Sequence, residues 1–107
     1  MSEAATLAVG GSGVDTERER EDVIRLGARL AHAEGFHVIA LDGRDVGEVE
    51  HVRYERYADH PDDVVIKRRI LLRHRRGIVR FDEVSAVDPD HKRVYLTIPT
   101  TAIRPLR

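Results

Sequence analysis

From Phe36 onward the apolar residues of this chain recur at every second position in short runs, most of them closed by Gly, Pro or Asp. This alternation constrains the fold more than any other feature, because a period of two suits half-buried strands and not helices. Phe36, Val38 and Ala40 share one strand face, and His37, Ile39 and Leu41 share the other. Asp42-Gly43 then predicts a two-residue type I′ turn, in which both central residues need positive φ. The returning strand, Val46 to Tyr57, loses its alternation because Val46, Val49 and Val52 lie at odd spacings. Gly47 sits inside that slip and predicts a β-bulge or tight bend there. Ala58 to Asp63 reads as a loop around Pro61. Val64 to Arg73 reads as the clearest strand, with Val64, Ile66, Ile70 and Leu72 on one face and Arg68 as the exception. The stretch His74-Arg75-Arg76-Gly77 predicts the next turn. Short strands follow at Ile78–Phe81, Val84–Asp88 and Arg93–Ile98, with Pro89 to Lys92 as a turn and Pro99 as a stop. Thr100 to Leu106 predicts one helical turn in which Ile103 and Leu106 plug an open end. About six short strands without a βαβ unit or an internal repeat predict a mainly β fold, a small antiparallel sheet closed into a barrel. Closure also removes unpaired edges.

The first 35 residues follow a different rule. Residues 1–15 are rich in Ala, Gly, Ser and Thr, and Gly10-Gly11-Ser12-Gly13 predicts a flexible arm. Residues 16–35 predict an amphipathic helix, N-capped by Asp15 or Thr16 and stopped by Gly35. Its apolar stripe is Val23, Leu26 and Leu30, widened by Ile24 and Ala31, while Gly27 weakens its middle. With 107 residues the chain has room for one domain, here residues 36–107 with the helix as an accessory. No cysteine is present, which excludes disulfides and thiolate chemistry. The longest uninterrupted apolar run is Val38–Leu41, too short to cross a bilayer. The start also lacks the regions of a secretory signal, so a cytoplasmic protein is expected.

The segment Val38 to Val52, with Asp42-Gly43 followed by Val46-Gly47-Glu48-Val49, resembles the opening hairpin of the PRC-barrel family. Val64-Val65-Ile66, Ile78 to Val84, Val87-Asp88 and Val94-Tyr95-Leu96 follow in the family's order, so the resemblance covers roughly residues 36–107. It implies a six-stranded β-barrel used for docking. Members include the cytoplasmic part of the photosynthetic reaction-centre H subunit and the C-terminal domain of the ribosome maturation factor RimM. The chain has neither the transmembrane helix of the first nor the extra barrel of the second, and so is similar to the standalone members. The resemblance implies a protein-interaction module, an assembly or scaffold subunit. It also allows a ribosome- or RNA-associated factor or a peripheral subunit of a membrane complex.

The conspicuous charge is basic. Lys67, Arg68, Arg69, Arg73, Arg75, Arg76 and Arg80 fall within fourteen positions that hold no acid, although the chain as a whole carries a net charge of −1. Arginine forks suit phosphate and carboxylate, so this stretch is the candidate partner-binding surface. A solvated face is the alternative, with Glu48, Glu50, Glu55 and Asp59 to Asp63 as pairing acids. A protein partner, RNA or an anionic membrane would each suit the charge, but aromatic residues for base stacking are few. Val23, Leu26 and Leu30 are the candidate helix interface, either onto an open barrel end or onto a second copy in a homodimer.

The six histidines form no metal-binding spacing, although His37 and His51 could face each other across the first hairpin. Asp59, Asp62 and Asp63 lack the pattern of a calcium loop. Asp82 and Glu83 are adjacent on a strand end and point apart. No nucleophile and base are spaced as a pair. The sequence therefore predicts no enzyme, no cofactor, no metal and no small-molecule substrate.

Overall fold

The computed structural model describes residues 17–106. Helix α1 is described over residues 17–30. Seven strands follow: β1 (His37–Ile39), β2 (Asp45–Arg53), β3 (Asp63–Ile70), β4 (Arg73–Arg80), β5 (Val84–Asp88), β6 (Arg93–Leu96) and β7 (Arg104–Pro105). Short 3₁₀ turns at Phe81–Glu83 and Thr100–Ala102 precede β5 and β7. The strands form one sheet in the order β5-β6-β1-β2-β3-β4-β7. The expected flexible arm, residues 1–15, and the expected helix start lie outside the described residues.

The mainly β reading holds, and its details change. Among the described residues there are seven strands rather than six. One pair, β1 with β6, is parallel, with Val38 opposite Val94. The ladder ends at β5 and β7, with no backbone pairing between those two among the described residues. The seventh strand is only two residues long, too short to leave a period in the sequence. The parallel pair joins segments more than fifty positions apart, and alternation says nothing about strand direction.

A side chain spans the two sheet ends. Glu83, just before β5, is buried and accepts from Arg104 of β7 at 2.7 Å. It also accepts from the Arg80 backbone N–H at 2.8 Å. The Arg104 guanidinium beside it holds the Glu83 carboxyl below the usual glutamate range, outweighing burial, which acts the other way. The Glu83 carbonyl accepts from the Thr97 N–H at 2.8 Å, tying the same residue to the chain just after β6.

One hydrophobic cluster draws on all six longer strands: Val38, Val46, Val49, Val64, Ile66, Val79, Val84, Val87, Val94 and Leu96, with Ile103 ahead of β7. Val46, Val49 and Val52 all face it despite their odd spacing, because β2 carries two register breaks. One lies where Val38 and Ile39 pair with Gly47 and Asp45, leaving Val46 as the extra residue. The other leaves Glu50 unpaired between Val49 and His51. Each extra residue resets the alternation and returns a valine to the core. The first break is the bend expected at Gly47, whose φ is +139°. A Cβ there would overlap the Lys67 carbonyl oxygen, so only glycine lets β2 approach β3 this closely.

The β1–β2 turn departs from the expected type I′. The Gly43 N–H donates to the Ala40 carbonyl at 2.8 Å, and the Ala40 N–H to the Arg44 carbonyl at 2.9 Å. Gly43 has φ +84°, while Asp42 is not left-handed. This is a three-residue loop with glycine in the αL position. Asp42 is thereby freed to accept from the Thr100 hydroxyl at 2.9 Å, across the molecule.

The helix end belongs to the core. Leu30 and Ala33 are buried in the cluster, and Leu26 packs against it. The α-helix stops at residue 30, earlier than Gly35, because His32 and Ala33 bond three residues back in tighter turns. Gly27 lies against the loop after β2: a Cβ there would sit 2.7 Å from the Asp59 carbonyl oxygen. The glycine that weakens the isolated helix is what lets it dock. No helix among the described residues is long and apolar enough to cross a membrane.

Candidate functional site

The basic stretch folds as a hairpin, and its turn is not where the sequence puts it. The expected turn, His74 to Gly77, is strand β4, and the chain reverses at Leu71-Leu72. Gly77 instead makes room in mid-strand: a Cβ there would lie 2.8 Å from the Ile103 Cγ2 and 3.0 Å from the Arg68 Cδ. The true turn carries no Gly, Asn or Asp to announce it. Leu71 takes φ +58°, while Leu72 does not, the φ pattern of a type II′ turn. Leucine is rarely found there, since its Cβ crowds the carbonyl oxygen in the left-handed region.

The hairpin outruns the rest of the sheet. Pairing of β2 with β3 ends at Glu48 opposite Lys67, and pairing of β4 with β7 ends at Gly77 opposite Pro105. Residues 68–75 therefore continue as a two-stranded ribbon with no third strand paired to them among the described residues, although Gly47 of β2 still lies against Arg68. At its tip Leu71 is 90% exposed and Leu72 is 101% exposed, with Ile70 behind them at 41%.

The seven predicted basic residues divide into two groups. Arg76 pairs with Glu50 at 3.1 Å, and Arg80 lies 3.4 Å from Asp82 and 3.9 Å from Glu83. Glu50 is the extra residue of the second β2 bulge, so the bulge supplies this pair. Lys67, Arg68, Arg69, Arg73 and Arg75 have no ion-pair partner among the described residues. Of the acids expected to neutralise them, only Glu50 makes an ion pair with the stretch among the described residues, although Glu48 stands opposite Lys67 and Asp63 opposite Arg80 in the sheet. Glu55 pairs with Arg53 at 2.7 Å, and Asp62 accepts from the Glu55 and Arg56 backbone N–H groups.

Within the ribbon like charges stand opposite each other. Lys67 faces Arg76 at its base, and Arg68 faces Arg75. Such pairs destabilise a sheet. Alternation puts Lys67 and Arg69 on one face of the ribbon, and Arg68, Arg73 and Arg75 on the other. The Arg68 Nε is buried and unpartnered among the described residues.

The other candidates do not assemble a site. Val23 is half-buried, Leu26 lies against the core and Leu30 is inside it, so the helix stripe is largely covered by its own chain. His37 and His51 do not meet: His37 lies 2.8 Å from Asp45, and His51 lies 3.3 Å from Glu50. Among the described residues no group of three His, Asp or Glu is placed to hold a metal ion. An open cleft of about 400 Å³ at the hairpin base is lined by His37, Asp45, Glu48, Lys67, Arg69 and His74. Its charges are mixed, and it presents no hydroxyl or thiol nucleophile.

Sequence reasoning missed two features. One is the Glu83–Arg104 clamp, whose partners lie twenty-one positions apart with no local signal. The other is the stack of His60 between Tyr57 and Phe81, with ring centroids 4.2 and 4.5 Å apart. Comparison with protein-family models and with curated protein sequences finds no match.

Proposed function

We propose that this chain is a non-enzymatic docking module built on a PRC-like barrel, a cytoplasmic assembly or scaffold subunit whose recognition element is the β3–β4 hairpin. One observation carries the reading: a ribbon that projects beyond the sheet and bears four cations, Arg68, Arg69, Arg73 and Arg75, without acidic partners among the described residues, with Lys67 at its base. Cross-strand like charges and a leucine with positive φ both lower the stability of the ribbon, so the fold alone gives no reason to keep them. An anionic partner does. The barrel reading is supported by the single core shared by β1–β6 and by the ion pair that ties the two sheet ends.

The RNA alternative is less well supported. The ribbon has no Phe, Tyr or Trp for base stacking, and the exposed Tyr54 and Tyr57 lie on the separate loop after β2. A helix-mediated homodimer would have to use the little of the stripe that Leu30 and Leu26 leave outside the core.

The test is retention on immobilised heparin, a generic polyanion. The wild-type chain is expected to bind and elute with salt. The triple variant Arg68→Glu/Arg73→Glu/Arg75→Glu, with its fold checked by circular dichroism, is expected to elute at much lower salt. Equal elution of the two proteins would overturn the reading.

A further inference from the structure

We propose that the tip of the β3–β4 hairpin inserts into the interface of an anionic lipid bilayer, with Leu71 and Leu72 as the inserted residues and Lys67, Arg68, Arg69, Arg73 and Arg75 as a cationic collar on the headgroup phosphates. This rests on the hairpin being the docking element and names its partner.

Two leucines at 90% and 101% exposure contribute nothing to the core. Leu71 also holds φ +58°, where glycine would be easier. Neither burial nor turn chemistry accounts for this pair, so a contact outside the chain is the physical reason left. The order of groups along the ribbon identifies that contact. The apolar apex comes first, then cations on both faces, then the paired base at Lys67 and Arg76. From Arg68 to the apex is three to four residues, or roughly 10–13 Å of strand. That span is long enough for the apex to reach the headgroup–acyl boundary, into which an interfacial apolar face is buried by about 5–10 Å, while the cations stay at headgroup level. A bilayer meets the hairpin in the same order, with anions outside and hydrocarbon beneath, and it needs no shaped pocket. An acidic protein would have to supply a pocket for two leucines inside a ring of carboxylates. RNA offers the phosphates but nothing for the leucines.

The test uses the full chain and vesicle co-sedimentation. Vesicles contain phosphatidylcholine alone, or with roughly three parts in ten phosphatidylserine. Wild type is expected to sediment with the anionic vesicles, not the neutral ones, and to be released by salt. Leu71→Gly/Leu72→Ser keeps every charge, and Gly-Ser suits a type II′ turn, so this variant should fold at least as stably as wild type. It is expected to lose vesicle affinity by about tenfold or more and to elute from heparin where wild type does. The triple arginine variant should lose both, at on the order of fivefold per reversed cation or more. Vesicle affinity unchanged by Leu71→Gly/Leu72→Ser would overturn the insertion. So would a wild type that heparin holds but anionic vesicles do not; the docking reading would then survive with a protein or nucleic-acid partner. If heparin does not hold wild type either, the docking reading fails too.

Discussion

Gly27→Ala sets two effects of opposite sign against each other. In a helix by itself the change stabilises by about 1 kcal/mol. In this fold the added Cβ would stand 2.7 Å from the Asp59 carbonyl oxygen, 2.8 Å from the His60 Cβ and 2.9 Å from the His60 Cα. These are backbone atoms and the first side-chain carbon, so no rotamer change relieves the overlap. Either the helix lifts or the loop moves. Lifting the helix exposes Leu30 and Ala33, and Leu30 alone is worth roughly 2–3 kcal/mol. Moving the loop disturbs the Tyr57–His60–Phe81 stack. Overpacking of this kind costs about 1–3 kcal/mol, which exceeds the helix gain and leaves a net loss of about 1 kcal/mol. Urea unfolding followed by circular dichroism should show a lower midpoint at unchanged slope, with Tm lower by about 4–8 °C. A peptide of residues 16–35 carrying the same change should become more helical. A full-length variant more stable than wild type would refute the docking of α1 on this loop.

Two further changes probe the sheet. Gly47→Ala is expected to cost about 3 kcal/mol or more in urea unfolding, because it combines a left-handed backbone with overlap on the Lys67 carbonyl; an unchanged midpoint would contradict the close approach of β2 and β3. Glu83→Gln should cost about 1–2 kcal/mol at neutral pH by weakening the charged bonds to Arg104. The folded Glu83 carboxyl lies below its ordinary value. Its contribution is therefore fully present above the unfolded value of about 4.3 and fades as pH falls through the folded one. The stability gap between wild type and Glu83→Gln should narrow on acidification over that range; a gap constant with pH would contradict the clamp.

The strands of this chain were legible wherever a face is buried. Val64, Ile66, Val79, Val94 and Leu96 alternate in the sequence and lie in the core. The Gly47 bend was legible because its slip in alternation coincides with a glycine. The Glu50 bulge has the same slip but no glycine, and its cause is visible only in the pairing with β3. The candidate site was legible as charge and misread as shape. His74 to Gly77 look like a turn because they are polar and end on a glycine, whereas the real turn is made of two leucines. Turn chemistry predicts from conformational ease, and Leu71-Leu72 goes against it. A rule of local structure broken at an exposed position is itself a pointer to function.

The chain contains no tryptophan, so Leu72→Trp places a single reporter at the hairpin apex. Its emission should be that of a water-exposed indole in buffer and with neutral vesicles. With phosphatidylserine vesicles it should shift to the blue, be quenched by lipids brominated in the acyl chain, and revert on addition of salt. Emission that stays water-exposed while the protein sediments with those vesicles would show that the hairpin tip is not what touches the membrane.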